Sequence, residues 1–297
     1  STAQGLRWVI ANHDRDWGGE STSPIQNNSA KGVQVVSMSL GAFSAPLNPN
    51  DTGGNGTGIN AELTNQVHDL GIAVVAAMGN DGQRRVPSPA NADNAIAVGA
   101  VDDKDTHLRD DDEIASYSNW GPRDDDGDSD DWDELKPTVT APGTDIVAPE
   151  YAPANPNPFG DASLADNEYQ ELDGTSMATP HVAGLIAVML QKDPNLEPDE
   201  IRLTLETSSE FKGDVTHPEL SSSWNEKYGF GMVDASMWID GPRAREWVQL
   251  QSPEPMDPDT NYEKYEWWGG SSGGWVEDSG YDRNPPYLIA GTIAGFR

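Results

Sequence analysis

The run Asp173-Gly174-Thr175-Ser176-Met177-Ala178-Thr179-Pro180-His181-Val182-Ala183-Gly184 places a hydroxyl where an apolar helix begins. A Gly-Thr-Ser turn ahead of Val182, Leu185, Ile186, Val188 and Met189 sets Ser176 in the first turn of a buried helix. There, backbone N–H groups without helical partners and the positive end of the helix dipole face whatever the hydroxyl attacks. Ser176 is therefore a candidate nucleophile for acyl transfer, with its own N–H as part of an oxyanion hole. The competing reading is a Ser/Thr cap on an ordinary core helix. Pro180 agrees with a helix start, where a missing N–H removes little bonding.

A serine hydroxyl near neutral pH needs a base within hydrogen-bond reach and a third group to orient that base. The histidines are His13, His68, His107, His181 and His217. His181 follows Ser176 by five residues on the same helix, about 140° around at roughly 100° per residue, and so faces away. His68 lies beside Asp69 in a helical pattern and reads as solvated. A different chemistry is suggested by Asp124, Asp126, Asp128 and Asp130, which alternate around Gly127 as in the start of an oxygen-rich calcium loop. The closing glutamate of an EF-hand is missing, because Leu135 stands there, so a solvated acidic loop is the other reading.

The elements that must position these groups alternate along the chain. Strand patterns at 33–38, 72–77 and 95–101 are apolar at successive positions, as in strands buried on both faces. Helical patterns at 60–70, 176–191 and 198–207 separate them. The expectation is an α/β fold, a parallel sheet with helices on both faces, plus a short C-terminal extension. Ligands of such sheets sit beyond the carboxyl ends of the strands, which would present Asn80, at the end of Gly71-Ile72-Ala73-Val74-Val75-Ala76-Ala77-Met78-Gly79-Asn80, to a site. A plain turn asparagine in Asn80-Asp81-Gly82 is the alternative. After about residue 240 the texture changes to Pro253, Pro255 and Pro258, then Trp267, Trp268 and Trp275. Residues 1–240 are expected as one domain and 241–297 as a linker with the start of an aromatic, β-rich module.

The segment 173–184 closely resembles the active-site serine motif of the subtilisin-like serine peptidases, the subtilases. Ala76-Ala77-Met78-Gly79-Asn80 resembles their Ala-Ala-x-Gly-Asn segment, which implies that the Asn80 amide donates to the oxyanion. Ser39-Leu40-Gly41 is similar to the family segment that pairs with extended substrate. By the same resemblance Ala76, Ala77, Met78 and Gly79 form the wall and floor of the pocket beside the scissile bond. Further matching segments, among them Ser116–Pro122, Lys136–Gly143 and Tyr228–Ala235, occur in the family's order, so the resemblance spans about residues 1–240.

What the resemblance implies is a serine endopeptidase working through an acyl-enzyme on Ser176. Its substrate is a polypeptide, it needs no cofactor for catalysis, and it acts outside the cell. The family's Asp-Ser/Thr-Gly and His-Gly-Thr-His motifs are not found ahead of Ser39. Asp278-Ser279-Gly280 follows the serine, in a region of different composition. The expectation is a piece of a longer peptidase that holds the nucleophile and oxyanion groups. The rival is a non-catalytic peptide-binding or scaffold module.

Composition narrows the surroundings. Over 297 residues the formal net charge is −32 and the sequence pI about 4.1, which argues against nucleic acid or an anionic membrane as partner. Such a surface suits high salt or divalent cations, because screening relieves self-repulsion. Without cysteine there is no disulfide. No apolar run reaches the roughly 20 residues of a membrane span. Oligomeric state is left open.

Overall fold

A computed structural model describes residues 1–15, 32–43, 54–106, 108–149 and 169–235, and the backbone of strands 266–269 and 274–277. The chain divides into two units, Ser1–Asp234 and Ala235–Arg297. In the first, helix α1 (Thr2–Asn12) precedes strand β1 (Val35–Met38). Helix α2 (Ile59–His68) leads into β2 (Ala73–Ala77), and β3 (Ile96–Asp102) follows. A short β4 (Glu113–Ile114) and β5 (Val139–Pro142) complete the main sheet.

The fold is α/β. Strands β1, β2, β3 and β5 run parallel, in register Met38 with Ala76, Ala77 with Val98 and Val98 with Val139, while β4 pairs antiparallel with the end of β3. Parallel pairing requires crossovers: α2 supplies the one from β1 to β2, whereas among the described residues β2 to β3 and β3 to β5 are joined without an α-helix. All five residues of β2 are buried. Val74 and Ala76 join the core with Leu63 and Val67 of α2 and Leu6 of α1, and the alternate Val75 and Ala77 are buried too. That explains why the strand reads as a continuous apolar run instead of an alternating one.

Helix α3 (Thr175–Lys192) lies across β1, β2, β3 and β5, burying Val182, Ile186 and Met189. Helix α4 (Pro198–Ser208) follows it and buries Ile201 and Leu205. The strand and helix patterns of the sequence thus recur within two residues. Strand β5 and the hairpin of β6 (Ile146–Pro149) with β7 (Tyr169–Leu172) had no counterpart in that reading. Val139-Thr140-Ala141-Pro142 is interrupted by a threonine and ends in proline, and Tyr169-Gln170-Glu171-Leu172 is polar at its centre, so neither reads as a continuous apolar strand.

The second unit is described only through β8 (Glu266–Gly269) and β9 (Gly274–Glu277), paired antiparallel with Trp268 opposite Trp275. The rest of the expected extension, Asp278-Ser279-Gly280 included, lies outside the described residues. Among the described residues no helix is long and apolar enough to cross a membrane.

Candidate active site

Three segments meet at the carboxyl end of the sheet: the residues after β1, the residues after β2, and the start of α3. Ser176 is the second residue of α3, partly exposed. Its Oγ donates to Ser39 O at 3.3 Å, and Ser39 Oγ donates back to Ser176 O at 2.7 Å. The second bond has a local cause. Pro180 is the sixth residue of α3, deeper than the helix start at which the sequence analysis set it. Lacking an N–H, it cannot bond the carbonyl four residues earlier, which is that of Ser176. The Ser39 hydroxyl satisfies that carbonyl from another strand.

Asn80 is fixed from one side only. Its Oδ1 accepts the Thr175 N–H at 2.8 Å and the Thr175 hydroxyl at 2.9 Å, and Thr175 Oγ1 in turn accepts the Gly79 N–H at 3.0 Å. An amide held by its oxygen turns its NH2 the other way. Among the described residues no hydrogen bond occupies Asn80 Nδ2. The backbone of α3 shows the same selectivity. Thr175 N bonds Asn80, and Met177 N and Ala178 N bond Gly174 O, which leaves the Ser176 N–H without a partner among the described residues. Two donors thus remain beside one hydroxyl, the arrangement needed to hold an oxyanion. The turn itself rests on Gly79, whose φ of 92° and a nearby Asn119 Nδ2, 2.6 Å from where a Cβ would sit, exclude a side chain. Buried Asn119 closes the turn by donating to Met78 O and accepting from Asp81 N and Gln83 N.

A cavity of about 280 Å³ opens beside these groups, lined by Leu40, Gly41, Phe43, Ala77, Gly79, Asn80, Asp81, Pro87, Thr175 and Ser176. Leu40, Gly41, Ala77 and Gly79 were expected there, and Ser39 adjoins it through Ser176. Ala76 and Met78 correct that expectation. They are fully buried in the core with Met38 and Val86, because alternate residues of an extended segment face opposite ways. Met78 therefore does not set the depth of the cavity. Phe43 and Asp81 were not anticipated, although both belong to strand-end loops. Arg85 stacks its guanidinium 3.3 Å from the Phe43 ring centroid and approaches Asp81 at 3.9 Å, joining them at the rim.

None of the described histidines reaches Ser176. His181 Nδ1 donates to Met177 O at 2.8 Å and is exposed, as its helical position implied. His13 contacts Ile10 O, and His217 contacts Glu219 and Glu226. His68, expected to be solvated, is instead largely buried, with Nε2 3.1 Å from Asp199 at the start of α4. His107 lies outside the described residues.

The acidic loop departs from its expected geometry. Asp126 Oδ1, Asp128 Oδ1 and Asp130 Oδ1 each accept a backbone N–H two residues on, at 3.1, 2.7 and 3.1 Å. Alternation along the sequence is thus consumed by successive Asx turns, and Asp124, Asp126, Asp128 and Asp130 do not converge. Carboxylates gather differently, with ligand atoms within 4.8 Å of one another in Asp93, Asp126 and Asp133, and in Asp125, Asp126 and Glu134. The first group already surrounds a cation: the fully buried Arg123 guanidinium pairs with Asp93 at 3.1 Å, Asp126 at 3.2 Å and Asp133. Burial nevertheless raises Asp133 to about 6 and Glu134 to about 7, against the lowering effect of Arg123.

The sequence profile of the Subtilase family matches residues 2–231. The chain is similar to Serine protease AprX of Bacillus subtilis, 30% identical over 244 residues, 80% of this chain and 47% of that protein. It is likewise similar to Subtilisin DY of Bacillus licheniformis, 32% identical over 216 residues, 71% of this chain and 59% of that one. A cuticle-degrading serine protease of Arthrobotrys oligospora is 34% identical over 199 residues, 65% of this chain and 36% of the relative. The chain spans about half the length of the curated relatives it matches. With the profile covering most of its residues and the two strand-end segments and the start of α3 gathered at one cavity, the chain belongs to the Subtilase family.

Proposed function

We propose that this chain holds the nucleophile and oxyanion groups of a serine endopeptidase, with Ser176 attacking the scissile carbonyl of a polypeptide. The observation that carries the reading is the pair of donors, Asn80 Nδ2 and the Ser176 N–H, beside the Ser176 hydroxyl. Attack places negative charge on the carbonyl oxygen, and two fixed donors in a partly enclosed cavity stabilise it without reorganisation. Ser39, Leu40 and Gly41 would align the peptide backbone, and the cavity between Leu40, Ala77 and Gly79 would take the side chain preceding the scissile bond. In the resting site the Ser176 hydroxyl donates to Ser39 O, a carbonyl that accepts a hydrogen bond but cannot take the proton away. We assign the base and its orienting carboxylate to the family's Asp and His motifs in a longer chain, and propose action outside the cell on family resemblance.

Peptide hydrolysis by the 297-residue chain should be near background. A longer chain that adds Asp-Ser/Thr-Gly and His-Gly-Thr-His segments ahead of it should hydrolyse peptides, and Ser176→Ala in that chain should abolish turnover. Circular dichroism on each protein separates inactivity from misfolding. Peptide binding without hydrolysis by the folded longer chain would favour the scaffold reading. Ser176-dependent turnover by the short chain would show that one of its own histidines is the base.

A further inference from the structure

We propose that Pro87 floors the cavity beside Ser176 and so limits the residue preceding the scissile bond to a small aliphatic side chain, alanine before leucine and leucine before phenylalanine. The proposal rests on the peptidase reading above and concerns the depth of the same cavity. Leu40 and Gly41 form one side of it, and Ala77 and Gly79 the other. Glycine at facing positions leaves space between two backbones for a guest side chain. Here that space is taken. A Cβ on Gly41 would meet both Cβ and Cγ of Pro87 at 2.9 Å, and a Cβ on Gly79 would meet the same Cγ at 3.6 Å. One ring carbon thus stands beside the side-chain positions of both glycines, and at the packing density of a protein interior no substrate atom can share that place.

The ring is fixed by its own backbone. Ser88, which follows it, exchanges two hydrogen bonds of 2.9 Å with Ala42, which follows Gly41, and Pro87 O accepts the Asn91 N–H at 3.0 Å. Pro87 is buried, and Val86 before it is packed in the core with Met78. A large side chain therefore cannot press the ring aside without breaking the pairing that joins the two segments. The other way out of the cavity leads past Phe43 and Asp81. One face of the Phe43 ring is covered by Arg85, 3.3 Å from its centroid, so that face is not free to stack on an incoming ring. An apolar ring there would also lie against the Asp81 carboxylate and strip it of water, which is costly. A lysine gains little from the same carboxylate, because Arg85 already approaches it at 3.9 Å and Asn119 Nδ2 at 3.5 Å.

Isothermal titration calorimetry on the folded 297-residue chain, with acetylated peptides that differ only in a C-terminal alanine, leucine, phenylalanine or lysine, reads the depth directly. The terminal carboxylate of each peptide faces the two donors at Ser176, and its last side chain enters the cavity. Alanine should bind at least about tenfold tighter than phenylalanine, with leucine between them and lysine no tighter than alanine. Pro87→Ala deletes Cγ while keeping Cβ, and should reduce the alanine-to-phenylalanine ratio at least about fivefold. In the active longer chain, kcat/KM for substrates with the same residues before the scissile bond should follow the same order. Phenylalanine or lysine equal to or above alanine in the wild type would overturn the proposal, and that ranking needs no variant. So would an unchanged ratio in a Pro87→Ala protein shown by circular dichroism to be folded. Either result leaves the peptidase reading standing, since the peptides still bind or are cut at Ser176. Absence of both peptide binding by the short chain and hydrolysis by the longer one would overturn that reading and, with it, the proposal.

Discussion

The two ends of the Asn80 amide have separate tasks. Its oxygen receives Thr175 and so fixes the first turn of α3, while its nitrogen faces the cavity as a donor. Asn80→Asp keeps the acceptor and removes the donor, so it should melt within a degree or two of the parent chain. In the active longer chain it should still lose about 10²–10³ in kcat, the loss that removal of the same donor causes in a subtilisin. Asn80→Ala removes both ends and should cost about 1 kcal/mol of stability in addition, comparable to loss of a helix cap. Equal stability of the two variants would show that Thr175 does not depend on Asn80. Ser176 and Asn80 were legible in the sequence because each sits in an unbroken local segment whose neighbours dictate its conformation. Ala76 and Met78 were misassigned, because a matching segment names residues but only the alternation of an extended chain decides which side chains face the cavity.

At the scale of elements, the segment around Glu210 ties the last strand-like bridge, at Met232, to the helical turn Arg109–Asp111. Burial alone would raise the Glu210 carboxyl, but the hydrogen bond and charge of Arg109, with Lys212 at 3.3 Å, hold it below its ordinary value. A carboxyl depressed in the folded state contributes stability above its unfolded pKa, and that contribution is lost as pH falls through the folded value. Denaturant titrations of wild type and Glu210→Gln should therefore differ at pH 6, by less than about 1 kcal/mol for a partly solvated pair, and draw together as the pH is lowered through the carboxyl's folded pKa. A gap that widens on acidification would contradict this. Long-range partners of this kind were hidden from sequence reading. The same blindness explains the acidic loop: Asp126, Asp128 and Asp130 suggested a shared ligand, whereas local Asx turns use their oxygens and Glu134 joins from the far end of the loop. Strand β5 was missed because Val139–Pro142 follows Pro137, contains Thr140 and ends in a proline, which reads as a loop. It is recognised only by its pairing with β3.

For the whole molecule, the net charge of −32 sets how stability responds to salt. Repulsion among exposed carboxylates is screened over roughly 10 Å at 0.1 M salt and 3 Å at 1 M. The melting temperature in EGTA should thus rise steadily with potassium chloride over that range. Keeping EGTA present separates this general effect from site-specific calcium binding. A flat profile would mean that the acidic surface is already compensated by its own ion pairs, such as Lys104 with Asp102 and Glu113.

The proline within α3 has an effect beyond the helix that contains it. By removing the N–H at position 180, the sequence leaves the nucleophile's own carbonyl open, and a hydroxyl 137 residues away in the chain closes it. Ser39 and Pro180 share one acceptor, so their substitutions should not be independent. With Pro180→Ala in place, a helical N–H can take the Ser176 carbonyl, and Ser39→Ala then removes a bond that has already been replaced. A double-mutant cycle on melting free energy should show a coupling of about 0.5–1 kcal/mol, with Ser39→Ala less damaging in the Pro180→Ala background. Additive losses would mean that the two loops meet for some other reason. Non-additive ones would mean that a deletion in the backbone's own bonding is what fastens the substrate-side strand to the serine.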